Sequence, residues 1–255
     1  MKLTDIRHLA LGLVVMAALA GCVTAAPDDM NSADAARANM DLGISYLRQG
    51  NLEQARIKLE RSIEIDDENP TAHRLLGLVY ERLNDLDAAR DQYEVAVRQG
   101  PDDPDALNQL GIFLCTHTDD KRQALRYFER AFDIPRYSQR FLLYSNAGTC
   151  AKTVDLTLAE NYLRKGLELN PGYAEALLQL GDVTYQQGNY FQSRAFVERF
   201  FAAANPSSQA LWLAYRVEQA LGDTATAEGY AGQLLRDFPE SVETRLLLEQ
   251  QRNAG

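Results

Sequence analysis

The chain has 255 residues, 46% hydrophobic and 24% charged, with 16 Gly and 8 Pro, which is the composition of a folded protein and not of a disordered or fibrous one. Its 36 acidic residues outnumber 26 Lys and Arg; the net charge of −10 repels a phosphate backbone and argues against nucleic acid as a partner. Three Cys are too few for a disulfide scaffold, no CxxC or Cys/His cluster points to structural zinc, and no apolar run reaches the roughly 20 residues of a membrane-spanning helix.

Lys2 and Arg7 give a positive start, Leu9 to Ala20 form an apolar stretch of twelve residues, and small residues follow. This is the pattern of a secretory leader, too short to span a bilayer. Its end, Leu19-Ala20-Gly21-Cys22, resembles the lipobox of bacterial lipoproteins. That resemblance implies a signal peptide over residues 1–21, diacylglycerol on Cys22 and a mature chain beginning there. Each buried methylene of an acyl chain contributes about 0.8 kcal/mol, and two chains already anchor stably. Val23 stands where an Asp would, in the sorting pattern of such lipoproteins, retain the protein in the inner membrane. The expected location is therefore the periplasmic face of the outer membrane. Residues 22–35, rich in Ala, Asp and Ser, read as a lipidated tether.

The remainder, 36–255, repeats itself. Leu42-Gly43-x-x-Tyr46, Leu76-Gly77-x-x-Tyr80, Leu110-Gly111 and Leu180-Gly181 recur, with the first three glycines 34 residues apart. Residues 70–103 carry the fullest version: Leu76, Gly77 and Tyr80 on a first helix, Ala89, Tyr93 and Ala96 on a second, and Pro101 at the exit. Small residues at Gly77 and Ala89 let two helices approach closely, larger ones fill the space between hairpins, and Pro101 ends the second helix. The pattern resembles the tetratricopeptide repeat. It implies an all-α solenoid of six helix-turn-helix repeats in a right-handed superhelix, over about 36–69, 70–103, 104–137, 141–173, 174–207 and 208–241. The third repeat holds a one-residue insertion between Thr116 and Arg122, the fifth has Ser193 where Ala is usual, and the sixth has Tyr215 where Gly is usual. Val242 to Gln251 reads as the capping helix that the end of a solenoid requires.

Catalytic chemistry finds no residues to carry it. No nucleophile elbow, HExxH, P-loop or Gly-rich phosphate cradle occurs after the leader, and His73 and His117 lie a repeat apart, so no enzyme and no cofactor is expected. The acidic pairs Asp28-Asp29, Asp66-Asp67, Asp102-Asp103 and Asp119-Asp120 lack the loop pattern of a calcium site and fall at helix starts and turns, where Asp caps N–H groups. Cys115 and Cys150 fall at nearly matching places on the first helices of repeats three and four. In a reducing compartment they read as two small buried hydrophobes; in the oxidising periplasm, two facing thiols are expected to be bridged.

The tetratricopeptide resemblance places the second, fifth, ninth and twelfth residues of each repeat on the concave side. In repeat one these are Arg37, Met40, Ile44 and Leu47; repeat two adds Arg74 and Leu78, and repeat five Leu178 and Tyr185. Met40, Ile44, Leu47, Arg74 and Leu78 form the expected partner groove, suited to an amphipathic or hydrophobic protein segment.

Further blocks narrow the resemblance. Gly111-Ile112-Phe113-Leu114-Cys115, Ala124-Leu125-x-Tyr127-Phe128-Glu129-x-Ala131, Asn146-Ala147-Gly148-Thr149-Cys150 and Glu218-Gln219-Ala220-Leu221-Gly222-Asp223 resemble the type IV pilus biogenesis lipoproteins, the PilF/PilW-type secretin pilotins. The resemblance matches Cys22 to that family's lipidation site and Cys115 and Cys150 to its cysteines. It implies an outer-membrane lipoprotein that helps the pilus secretin reach the membrane and multimerise, in support of pilus assembly and twitching motility. A general periplasmic scaffold for peptidoglycan or envelope enzymes would share the lipobox and the repeats but not the two-cysteine blocks.

Overall fold

The computed structural model of the chain describes residues 28–254; the leader, Cys22 and the start of the tether lie outside them. The described residues form thirteen α-helices and no strand: α1 (Asp28–Arg48), α2 (Leu52–Ile65), α3 (Pro70–Arg82), α4 (Leu86–Gln99), α5 (Pro104–His117), α6 (Lys121–Phe132), α7 (Arg140–Ala151), α8 (Leu156–Leu169), α9 (Ala174–Gln186), α10 (Tyr190–Ala203), α11 (Ser208–Leu221), α12 (Thr224–Asp237) and α13 (Val242–Ala254). Among them, no helix is long and apolar enough to cross a membrane.

Successive helices pair into six hairpins, α1/α2 through α11/α12, and α13 closes the end. Each odd-numbered helix also approaches the next odd-numbered one, whereas even-numbered helices approach only their immediate neighbours in sequence. One layer is thus compressed and the other splayed. The stack bends toward the odd helices, which line its concave side.

The helix boundaries follow from local chemistry. Asn51, Asn69, Asp85, Asp103, Asp120, Asp155, Ser207 and Asp223 each accept a backbone N–H from the first turn of the following helix. Two of the acidic pairs act as anticipated: Asp103 caps α5 and Asp120 caps α6. Gly222, with φ 82°, turns α11 into α12 through the left-handed region; Asn84, with φ 63°, does the same between α3 and α4. The tether read over 22–35 differs from the structure in its second part, because α1 begins at Asp28. Alanine-rich polar sequence favours helix by propensity, and the Ser62 hydroxyl ties α2 to α1 by donating to the Ala36 carbonyl at 2.8 Å.

The hairpins close on a repeated pairing. A Cβ on Gly43 would stand 2.7 Å from Leu59, on Gly77 2.7 Å from Tyr93, on Gly111 2.9 Å from Phe128, and on Gly148 2.6 Å from Leu163. A large residue on the second helix fills the space each glycine leaves, and all four large residues are fully buried. In the sixth hairpin the sizes are exchanged: Tyr215 is buried on the first helix and Ala231 on the second. At the fifth, Ser193 is buried and donates its hydroxyl to the Gly181 carbonyl at 2.7 Å. Leu78 and Tyr80 pack against both the first core cluster and the central one, and Phe201 and Tyr230 join the central cluster to the last, so the core is continuous.

Candidate binding groove

The concave face has three stretches of different character. In the N-terminal stretch, Arg37 is exposed, and Met40, Ile44, Arg74 and Leu78 are half-buried. Leu47, expected in the groove, is instead a core residue: it is 7% exposed and clusters with Ala55, Leu59, Leu76 and Val79. The twelfth position of repeat one faces the incoming hairpin, whose Leu76 and Val79 need an apolar partner, and this burial leaves Leu47 almost no surface for a partner to touch. Met40 and Leu78 also lean on that cluster, so the apolar stripe read here is in part the seam between repeats. Arg74 keeps a shielded Nε with no hydrogen-bond acceptor.

The middle stretch satisfies itself. Asn146 donates to Asn108 at 2.9 Å, Gln109 donates to the Tyr93 hydroxyl at 3.3 Å, and the Tyr137 hydroxyl donates to Asp105. Burial, and then the bond to Glu81 at 2.7 Å, pushes the Tyr93 hydroxyl well above the usual phenol range, so it stays protonated and donating. Cys115 on α5 and Cys150 on α7 lie at the centre, with their sulfurs 2.22 Å apart and their Cα atoms 5.7 Å apart, a separation that a disulfide spans. The histidines serve the fold. His73 is buried, with Nδ1 2.7 Å from the Gln92 side-chain oxygen and Nε2 3.0 Å from the Asp67 carbonyl, and His117 contacts Glu81 at 3.0 Å.

The C-terminal stretch is open. A cleft of about 250 Å³ lies between Lys152, at the end of α7, and helices α9, α11 and α13. Leu178 and Leu213 are buried in its walls, Trp212 forms one side, and Gln209 and Glu243 stand at its border. Lys152 donates to the Gln179 side-chain oxygen at 2.7 Å and pairs with Asp182. Arg216 reaches the same Asp182 from the other side, at 3.4 Å. The Arg216 guanidinium lies 4.4 Å from the Tyr185 ring centre and 5.6 Å from that of Trp212, and Trp212 in turn stacks on Tyr215 at 5.5 Å. Beyond Trp212, a shallower hollow continues over Leu246, Glu249, Gln250 and Asn253 of α13.

Sequence reasoning found Leu178 and Tyr185 but missed Lys152, Asp182, Trp212 and Arg216. Three of these four obey the same repeat positions as Leu178. Counting from 174, 208 and 242, the second, fifth and ninth places give Asp182, Gln209, Trp212, Arg216, Glu243, Leu246 and Gln250, most of the cleft and the hollow beside it. Lys152 follows no period, because it stands in the irregular turn after α7.

Paired helices stacked into a curved solenoid, with a groove of mixed apolar and charged side chains along the inner layer, define a binding scaffold. The family model described as tetratricopeptide repeat matches residues 17–70, 40–104 and 155–208, more than half of the chain, and the protein belongs to that family. It is similar to the type IV pilus assembly protein PilF of Pseudomonas aeruginosa, 28% identical over 240 residues that cover 92% of this chain and 95% of that protein. Among solved structures it is similar to Pseudomonas aeruginosa PilF, with TM-score 0.76 and 26% identity over 86% of this chain and 99% of that one. It is also similar to PilW, described as a widely conserved type IV pilus biogenesis factor, with TM-score 0.79 and 25% identity over 84% and 98% of the two chains.

Proposed function

We propose that this protein is a pilotin of type IV pilus biogenesis: a lipoprotein anchored through Cys22 on the periplasmic side of the outer membrane, which binds the pilus secretin and promotes its localisation and multimerisation. The observation that carries the reading is the end-to-end match to PilF, which spans the whole solenoid and not a few repeats. The lipobox at Leu19 to Cys22 supports the anchor, and the groove supports a protein segment as the bound species. In this reading Cys115 and Cys150 are bridged in the periplasm, and the protein supplies binding and location while making no bonds in a substrate.

The test is deletion of the gene followed by electrophoresis of unboiled envelope fractions. Loss of heat-sensitive secretin multimers and of twitching motility is expected, with both restored by the wild-type gene and neither by Cys22→Ala. Unchanged multimers and normal motility in the deletion strain would overturn the proposal.

A further inference from the structure

We infer that the cleft between α9, α11 and α13 is where the partner chain is read, and that it takes an extended segment bearing a carboxylate beside a bulky apolar side chain. The inference rests on the pilotin reading for the partner's identity, the secretin, and goes beyond it in naming the site and the chemistry recognised.

The charges come first. Two cations, Lys152 and Arg216, share one carboxylate, Asp182, so the triad carries one positive charge, and the second carboxylate of the cleft, Glu243, stands apart from it at the border. Arg216 is the less satisfied of the two. Its contact with Asp182 is long at 3.4 Å, and 29% of its side chain stays exposed beside the cleft. A carboxylate is the group that best matches the exposed edge of a guanidinium. Arg216 is also held in place beforehand: the Tyr185 and Trp212 rings pin its plane, so little side-chain freedom is lost when a ligand arrives.

The apolar requirement follows from what lies alongside. Trp212, Leu178 and Leu213 border the same cleft, and Leu246 continues the apolar wall past Trp212. Gln209 and Glu243 provide acceptors for the N–H groups of an extended backbone. A cleft of about 250 Å³ has room for one or two side chains of a bound segment. At the opposite end of the concave face the ninth positions are Ile44, Leu78 and Ile112, all half-buried, and Leu78 and Ile112 pack against the core. At this end they are Asp182, Arg216 and Gln250, polar side chains that line the cleft and the hollow beside it.

The experiment presents the full-length lipoprotein, extracted from envelopes in detergent, with overlapping synthetic peptides that tile the secretin. Captured peptides are expected to share an Asp or Glu next to Leu, Ile, Phe or Trp. Arg216→Gln should weaken the best of them about tenfold or more, the worth of a charge-assisted hydrogen bond. Replacing the peptide's acid by its amide should cost wild type a similar factor and cost the Arg216→Gln protein little, because the two changes remove one interaction. Captured peptides without an acid, or equal capture by wild type and Arg216→Gln, would overturn the inference. Trp212→Ala should also weaken capture; if it lowers the melting temperature, Arg216→Gln decides alone. Multimers that persist when the gene is deleted defeat the pilotin reading itself, whereas multimers that need the gene but form fully with Arg216→Gln defeat only the assignment of this cleft.

Discussion

In the second hairpin a glycine faces a tyrosine, and in the sixth a tyrosine faces an alanine. Gly77 leaves room for the Tyr93 ring, and Tyr215 fills from the opposite helix the space that Ala231 leaves, with the two members of each pair 16 residues apart. In both hairpins a small residue thus faces a large one, and either helix can supply the bulk. The exchange has a consequence for binding. With its bulk on the inner helix, Tyr215 stacks on Trp212 and fixes that ring at the mouth of the cleft, which no glycine at that place could do.

The sharpest way to break the comparison is to impose the usual residue where the exchange has occurred. Tyr215→Gly restores the common pattern and should destabilise the protein by about 3–5 kcal/mol, the cost of emptying a core site of a large aromatic ring. Adding Ala231→Phe should recover part of that loss, since it transfers the volume back to the second helix. Urea titration of the two variants checks both expectations, and a Tyr215→Gly protein as stable as wild type would show that the sixth hairpin does not pack by volume exchange.

Next in size is the joint between the two halves. A bond between Cys115 and Cys150 closes a loop of sequence separation 35, and by chain-entropy reasoning it should contribute roughly 3–4 kcal/mol. Cys115→Ser with Cys150→Ser should lose that amount under non-reducing conditions and equal wild type once a reductant is present. Thiol titration of the denatured, unreduced wild type should find neither of these sulfurs free.

A smaller effect grades the hairpins among themselves. Gly77→Ala should cost about 1–3 kcal/mol, because the new methyl would stand 2.7 Å from two carbons of a fully buried ring whose hydroxyl is held by Glu81. Gly181→Ala should cost less, since its nearest neighbours, Leu213 and Val197, are 3.3 Å away. Melting curves of the two variants rank them directly.

These differences also show what the sequence could convey. A period of 34 residues with a small residue at one helix crossing is a property of the chain, and so the hairpins and their order were legible from it. The start of α1 at Asp28 was not, because polar, alanine-rich sequence serves equally as a tether or as a helix, and the bond that ties α1 to α2, from Ser62 to the Ala36 carbonyl, lies beyond that stretch. Leu47 was misassigned for a related reason. Position along a helix fixes a direction, but whether that direction meets solvent or the next hairpin depends on how the hairpins stack. The charged triad of the cleft is legible only in part: Asp182 and Arg216 occupy one position in successive repeats, 34 residues apart, whereas Lys152 is delivered by a turn that follows no repeat.

The smallest effect concerns acid and the last hairpin. Asp223 caps α12 by accepting the Thr226 backbone N–H at 3.1 Å and the Thr226 hydroxyl at 2.9 Å, and these bonds, the backbone one first, hold its carboxyl below the usual range. A carboxyl whose folded value is depressed adds stability that is complete above its unfolded value, about 4, and is lost as pH falls through the folded value. Asp223→Asn keeps a side-chain oxygen for the cap but cannot carry the charge. Wild type should therefore melt slightly higher than Asp223→Asn at neutral pH, and the gap should close on acidification below about pH 4. Asp223 lies at the surface, so salt should narrow the gap as well, because the attraction of the helix N-terminus for the charge is screened there. A gap that persists unchanged through acid would assign the cap's contribution to hydrogen-bond geometry alone.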